Sequence, residues 1–310
     1  MENQRGALEI SFGWLFAIVA GIVIIFVAIY FSSKIIGTEQ ETKSAETGKE
    51  IGTLLNPLET GFESAQTTSI TIPVDTRINN KCELTGTFGR QTIQLDQRSF
   101  NEWTKTDVDV FFYNKYIFSD DELTGKKFYI FSKPFDFPFK VADLIYMTTA
   151  DDRYCFIDAP DEIEEEISNL NQANLLTKNC SGNEIEVCFN NQNCDVEVDY
   201  NAGRIGKGGE FVYFDVGDSA LMYAGIFAEK AVYECQLRRL MLRVKELSLL
   251  YIDKETISRK NGCSDESLAG DLGVLSELAG GMENSEEISL VKEKAEDINN
   301  RNEGRLCRLW

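Results

Sequence analysis

The chain of 310 residues is 43% hydrophobic and 11% aromatic, which is sufficient for a folded core. Its formal net charge of −20 disfavours binding to nucleic acid, because the phosphate backbone requires a basic surface. The sequence contains no histidine, which excludes Ser/His and Cys/His nucleophilic sites and histidine-containing zinc sites. We therefore expect neither a cofactor nor a nucleic-acid partner.

The N-terminal segment predicts a membrane-spanning helix that is retained in the mature protein. The 20 residues from Phe12 to Phe31 carry no charge, and at about 1.5 Å per residue such a helix crosses a hydrocarbon core of about 30 Å. Trp14 and Tyr30 lie near its two ends, where aromatic rings favour the headgroup layer. No small-residue cleavage site follows Tyr30, as it would in a secretory signal peptide. Residues 1–36 are therefore interpreted as an anchor in contact with membrane lipid.

The cysteines and the flanking charges disagree about the orientation of this anchor. Lys34, Lys43 and Lys49 outnumber Arg5 on the other side, which alone favours a cytoplasmic C-terminal part. Large domains are translocated largely regardless of charge, however, and eight cysteines without a CxxC pair suggest disulfides in an oxidising compartment. The alternative is a cytosolic domain with buried free thiols. We expect a single-pass protein of the cell membrane with a cytoplasmic N-terminus and an extracytoplasmic ectodomain.

Small residues recur along the predicted span. Gly13, Ala17 and Gly21 are four residues apart and fall on one helical face, where a second helix could approach closely. This pattern predicts a homo-oligomer formed through the N-terminal helix, and the alternative is an ordinary lipid-facing surface.

Beyond the anchor, the sequence predicts an α+β protein in three regions. Residues 37–66 predict a polar stalk that ends in an amphipathic helix. Residues 67–216 contain short runs of β-branched and aromatic residues, which predict a β-rich ectodomain with antiparallel strands and one helix after Pro160. Residues 217–310 predict a C-terminal three-helix bundle. Its long first helix is capped by Asp218 or Ser219, and its apolar spacing is broken only at Lys230.

The eight cysteines are expected to staple this ectodomain. The first bundle helix ends just before Cys263, and the third helix runs back towards that end and leads to Cys307. This geometry predicts a disulfide between Cys263 and Cys307. The runs EIEVCF and CDVEVD predict a hairpin that Cys188 and Cys194 would bridge. Because eight cysteines allow 105 connectivities, the remaining pairs are weaker predictions. They are Cys82 with Cys155 and Cys180 with Cys235.

The run GRIGKGG at residues 203–209 lacks the GK[ST] ending of a phosphate loop and is interpreted as a flexible turn. Around it, Asp199, Asn201 and Glu210 occupy the first, third and twelfth positions of a calcium-loop template. Two intervening positions do not fit that template, so these residues are only a weak calcium candidate. No other metal site is expected.

Three phenylalanines alternate in the run KPFDFPFK. Phe135, Phe137 and Phe139 would lie on one side of an extended strand, and the two prolines disfavour a central strand. A core-facing edge strand is the favoured interpretation, and an exposed strip that binds a glycan or a protein partner is the alternative.

Paired carboxylates are the only residues in the sequence that suggest an enzyme. Asp120 with Asp121, or Asp151 with Asp152, could in principle hydrolyse a glycoside. With 51 acidic residues in the chain, such pairs more often form solvated surface. No catalytic residue is therefore assigned, and the protein is not expected to be an enzyme.

The block Gly6-Ala7-Leu8-Glu9 before the apolar segment resembles the class III signal peptides of archaeal type IV pilin-like proteins. The resemblance covers only the first tenth of the chain. It implies that Glu9 pairs with the N-terminal amine of a neighbouring subunit during assembly. Gln4 stands where the family has glycine before the cleaved bond, which favours a plain anchor of shared ancestry.

These patterns support three functions in order. The first is a single-pass, membrane-anchored cell-surface structural or interaction protein of pilin-like descent. The alternative is an anchored extracellular binding module for a glycan, ligand or partner protein. The third is an anchored, carboxylate-dependent hydrolase.

Overall fold

The computed structural model describes residues 13–34, 66–99, 102–190, 193–217, 219–263 and 265–310. These residues form six α-helices and twelve strands, so the expected α+β class is confirmed. The helices are α1 (Gly13–Lys34), α2 (Asp161–Leu170), α3 (Ser219–Phe227), α4 (Lys230–Lys260), α5 (Ala269–Gly281) and α6 (Ile288–Glu303). The strands are β1 (Gln66–Glu83), β2 (Arg90–Ser99), β3 (Glu102–Phe112), β4 (Tyr116–Phe118), β5 (Glu122–Asp136), β6 (Lys140–Thr149), β7 (Tyr154–Ile157), β8 (Leu175–Leu176), β9 (Ile185–Phe189), β10 (Val196–Asp199), β11 (Arg204–Lys207) and β12 (Glu210–Tyr213).

Helix α1 is the apolar element that the hydropathy predicts. It has 22 residues with a mean hydropathy of 2.8, and none of its apolar window is buried in the protein. Such a helix is long enough to anchor the chain in a membrane, and a signal sequence has the same character. The stalk predicted for residues 37–66 lies outside the described residues, apart from Gln66, which begins β1.

Six strands form sheet A, in the order β3-β2-β1-β5-β6-β4. All neighbours are antiparallel except β4 and β6, which are parallel. One face encloses a separate apolar cluster with members from all six strands, including Ile78, Phe128 and Ile145. The sheet is curved, so that β4 at one edge lies beside β2 near the other. Two hydrogen bonds show this contact: the Gln91 side chain accepts from the Ile117 amide and donates to the Ile117 carbonyl.

The other six strands form sheet B, in the order β12-β11-β10-β9-β7-β8. Strands β8, β7, β9 and β10 are parallel to one another, so the expectation of purely antiparallel strands is wrong. The predicted hairpin of EIEVCF and CDVEVD is also wrong, since β9 and β10 pair in parallel with Val187 opposite Val196. Alternating hydrophobicity indicates which face of a strand is buried but not the direction of its neighbour.

The run GRIGKGG is only partly a turn. Residues Arg204–Lys207 form strand β11, which pairs with β12 so that Lys207 lies opposite Glu210. The turn consists of Gly208 and Gly209, whose φ angles of 55° and 85° suit a two-residue hairpin connection.

The two sheets and helices α2 to α6 share one large core. Every residue of α3 from Ala220 to Phe227 is buried, because this helix contacts strands of both sheets. The same cluster continues through α4, α5 and α6. Residues 217–310 therefore do not form a bundle with its own core. The single long helix that we predicted is two helices, α3 and α4, with Ala228 and Glu229 between them. The buried stripe of the last helix matches the sequence prediction.

Four disulfides join the eight cysteines. Cys263 pairs with Cys307 and Cys188 with Cys194, as predicted. The other two predicted pairs are wrong, because the N-terminal strand of sheet A packs beside α4 and a loop after α2 lies beside β7. The observed pairs are Cys82 with Cys235 and Cys155 with Cys180.

Candidate functional site

A fully buried arginine holds together the loops at one end of sheet A. Arg239 lies on α4, three residues after Gln236, and has no exposed surface. Its guanidinium donates five hydrogen bonds of 2.7–3.3 Å and lies 4.8 Å from the centre of the Tyr116 ring. The acceptors are the backbone carbonyls of Phe88, Phe112, Tyr113 and Lys115 and the side chain of Gln236.

The arginine is charged despite its burial. Burial lowers the pKa of Arg239 to about 10, with Tyr116 acting in the opposite direction. At neutral pH the guanidinium is therefore a cation that is neutralised by carbonyl dipoles. Gly89 is required beside it, because a Cβ there would lie 2.9 Å from Cγ of Arg239.

Four large apolar side chains project from the loops that Arg239 fixes. We call them the aromatic tip: Leu84, Phe88, Phe111 and Tyr113, which are 38–61% exposed. Leu84 and Phe88 come from the connection between β1 and β2, whereas Phe111 and Tyr113 come from the end of β3 and the residues after it. Arg90 joins the two halves, since its guanidinium lies 5.0 Å from the centre of the Phe111 ring and its pKa is raised by Glu83 first and by Tyr113 as well.

Two arginines lie near the aromatic tip. Arg90 adjoins Phe111 and is paired with Glu83 at 2.7 Å, and Arg243 is half-buried on α4. Arg243 approaches Tyr116, because it opposes the burial that raises the pKa of that phenol. Aromatic residues and arginine are enriched at protein–protein interfaces relative to the rest of the protein surface.

A second cluster of charges lies where β4, β11 and the connection between α3 and α4 meet. The Lys207 amine donates to the Ala228 carbonyl at 2.9 Å. Burial lowers the pKa of Lys207 to about 8, against the opposing effects of Asp120 and Glu229. Burial also raises the pKa of Asp120, and among its neighbours Lys207 opposes that shift while Asp152 adds to it.

The Lys207 cluster borders a cavity of about 420 Å³ with apolar walls that include Ile205 and Val212. In sequence, Asp120 with Asp121 and Asp151 with Asp152 were considered as two separate pairs. In the structure, Asp121 and Asp152 both lie close enough to Asp120 to raise its pKa. Two-carboxylate hydrolysis uses one acid and one base on either side of an open cleft. Here an amine lies among the carboxylates instead, and we assign no hydrolysis to them.

A third polar group joins β5, α2 and α3. The Lys133 amine lies 2.5 Å from Oε1 of Glu166 and also contacts the Ser219 hydroxyl. The Tyr223 hydroxyl donates to the other Glu166 oxygen at 3.1 Å. A Ser/Lys nucleophilic pair needs a lysine that is available to the serine, whereas the Lys133 amine is paired with the Glu166 carboxylate. We interpret the group as a structural ion pair.

The calcium loop suggested by Asp199, Asn201 and Glu210 is not formed. Strand β11 lies between the first and last of these residues, so the segment is a pair of hairpin connections and not one loop. The Asp199 carboxylate accepts from the Ala202 amide at 3.0 Å and lies 3.8 Å from Arg204. Glu186 lies near Cys188 and Cys194, but those sulfurs form a disulfide and are not thiolate ligands.

The phenylalanine strip is core and not a partner surface. Phe135, Phe137 and Phe139 are each no more than 1% exposed. Phe139 stacks on Tyr251 with 4.6 Å between ring centres and meets the Trp310 ring edge-on. Only Phe135 lies in a strand, β5, which is central and not an edge because it lies between β1 and β6. Phe137 and Phe139 lie in the connection to β6, so the prediction of one extended strand for all three is wrong.

Of the predicted assembly residues, Gly13, Ala17 and Gly21 lie in α1, and none of the apolar window of that helix is buried in the part of the chain that the structure describes. Glu9 lies outside the described residues. Neither Arg239 nor the aromatic tip was predicted from the sequence. A charged residue beside the apolar stripe of a long helix is a signal that could have marked Arg239.

Comparison with known proteins assigns no family to this geometry. No family model, no curated protein and no solved structure matches the chain.

Proposed function

We propose that this chain is a single-pass, membrane-anchored surface protein that acts through protein–protein contact, with the aromatic tip as its contact surface. The observation that carries this proposal is the rigid exposure of four large apolar side chains on loops fixed by Arg239. Clustered exposed apolar residues mark interaction sites, and loops that are already ordered lose little entropy on binding.

The partner we propose is a second copy of the same chain. Arg90 and Arg243 lie near the aromatic tip, whereas the whole chain carries a formal net charge of −20. Any neighbouring copy in the same membrane therefore presents an acidic surface to the tip, and opposite charges favour that encounter. Contact between two different patches is heterologous, so it either closes into a ring or continues as an open row, which stays in the plane of the membrane because each copy is anchored.

The cell-surface location and pilin-like descent belong to the same proposal. Four disulfides support an oxidising compartment, and helix α1 supports anchoring. The resemblance around Glu9 supports the descent, while Gln4 and the large ectodomain favour a protein that stays in the membrane as a lateral oligomer over a fibre subunit. Gly13, Ala17 and Gly21 would add contacts between anchors within that oligomer.

The test is the oligomeric state of the full chain in detergent, measured by sedimentation across concentration and salt. We expect self-association that weakens with salt and a dissociation constant that rises roughly tenfold or more in Phe111→Ser/Tyr113→Ser. The matched control is Leu249→Ser/Leu250→Ser, which removes exposed apolar residues from α4 and should leave association unchanged.

A Gly21→Ile variant separates the contribution of the anchor from that of the ectodomain, because it widens only the helix contact. A chain that stays monomeric at every concentration would overturn the proposal. Association that the tip variant leaves untouched would overturn it as well.

A further inference from the structure

We propose that the outer face of sheet B carries a binding site for one neutral sugar unit. The site is a pocket of about 160 Å³ on strands β10, β11 and β12. At roughly 30 Å³ per water molecule it holds about five waters, which suits one small ring and not an extended chain. The side chains that line it are those of Asn190, Glu197, Asp199, Arg204 and Phe211.

A glycine shapes the aromatic wall of this pocket. Gly206 lies opposite Phe211 in the β11–β12 pair, and a Cβ on Gly206 would lie 3.0 Å from a carbon of the ring. The ring can therefore lie against the strand, yet Phe211 stays 43% exposed. The Arg204 guanidinium lies 4.9 Å from the ring centre and holds the ring in place.

The polar walls are fixed by bonds within the protein. Glu197 and Asp199 project from the same face of β10, since side chains alternate along a strand. Each carboxylate accepts a hydrogen bond from a backbone amide in a loop: Glu197 from Asn193 at 2.8 Å and Asp199 from Ala202 at 3.0 Å. Arg204 lies 3.8 Å from Asp199. The carboxylate oxygens are thus oriented beforehand and keep further lone pairs for a ligand.

The mixture of groups selects the ligand. Guanidinium and carboxamide donors alternate with carboxylate acceptors, and a sugar hydroxyl both donates and accepts. An aromatic ring beside them suits the apolar C–H face of a sugar. Two carboxylates against one guanidinium disfavour an anionic sugar. The site is independent of the aromatic tip, which lies on loops of sheet A.

The experiment uses ligand-observed NMR on the full chain in a detergent without a sugar headgroup, because maltosides and glucosides would compete for the site. The probes are methyl glycosides of glucose, galactose, mannose and N-acetylglucosamine, with glucuronic acid as the anionic comparison. We expect one neutral glycoside to bind with a dissociation constant of about 1 mM. A second probe is an oligosaccharide that ends in the same sugar unit. If the natural ligand is the end of a glycan, this oligosaccharide binds at least as tightly as the methyl glycoside. If the natural ligand is a free sugar, only the single unit binds.

Variants localise the signal. Phe211→Ala and Asp199→Asn should each weaken binding roughly tenfold, whereas Leu250→Ala, which removes an exposed apolar side chain from α4, should not change it. Mapping of the four disulfides without reduction checks that each variant is folded. Absence of saturable binding by every neutral glycoside would overturn the inference. Binding that survives both pocket variants, or equal binding of glucuronic acid, would also overturn it, and none of these results bears on self-association.

Discussion

Arg239 is the single residue on which the shape of the aromatic tip depends. Replacing it with methionine keeps an unbranched apolar stem but leaves four backbone carbonyls without their donor. Since a buried unsatisfied acceptor costs about 1–3 kcal/mol, Arg239→Met should lower the free energy of unfolding by about 3 kcal/mol or more.

Denaturant unfolding with the disulfides intact measures this loss. Arg238→Met on the same turn is the control and should change stability by less than about 0.5 kcal/mol, because Arg238 is half-buried and lacks those carbonyl partners. Equal stability of the two variants would contradict the role assigned to Arg239.

Lys207 should make stability depend on pH in the alkaline range. The pKa of Lys207 is about 8 in the folded chain and has its ordinary value of 10.5 in the unfolded chain. Between pH 8 and pH 10.5 the lysine is therefore protonated in the unfolded chain but largely neutral in the folded chain. The cost of holding a buried charged amine is complete below pH 8 and disappears as the pH rises to 10.5, so this group makes stability rise across that window.

The measurement is the difference in unfolding free energy between the natural chain and Lys207→Met as a function of pH. That difference should shift in favour of the natural chain from pH 8 upwards. A difference that stays flat across the window would show that Lys207 titrates normally.

At the scale of elements, the disulfides divide into one that joins distant segments and others that close local loops. Cys82–Cys235 connects β1 to α4 across 153 residues, whereas Cys188–Cys194 spans only 6. In the chain-entropy model, removing the first costs about 5 kcal/mol and removing the second about 2 kcal/mol.

Double serine variants of each pair test this order without leaving a reactive thiol. We expect Cys82→Ser/Cys235→Ser to unfold at clearly lower denaturant than Cys188→Ser/Cys194→Ser, with both compared to the natural chain. The reverse order would mean that strain or residual structure in the unfolded chain outweighs loop length.

For the whole molecule, the proposed topology places the disulfides outside and the N-terminus inside. Protease added to intact cells that express the chain with an N-terminal epitope should remove the ectodomain and spare a short fragment bearing the epitope. Permeabilised cells are the control, since both parts should then be digested. Protection of the ectodomain in intact cells would reverse the topology.

The assembly proposal is also a prediction about the whole molecule. Because the chain is proposed to stay in the membrane, negative-stain images of expressing cells should show no filaments that contain it. Filaments that disappear in Glu9→Ala would instead establish it as a fibre subunit.

Several features of this protein follow from local sequence. The apolar helix α1, the start of α2 after Pro160 and the buried stripe of α6 were all predictable, because hydrophobic period and caps act within a few residues. Cys263 with Cys307 was predictable for the same reason, since three successive helices fix which ends meet.

Other features were decided only by the tertiary structure. The parallel pairing of β9 and β10, the Cys82–Cys235 bond and the five hydrogen bonds of Arg239 join residues that the chain alone does not bring together. The same holds for the pocket beneath Phe211, whose walls come from three strands. Local patterns specify which face of an element is apolar, whereas its neighbour is selected by packing of the whole core, which no short stretch of sequence contains.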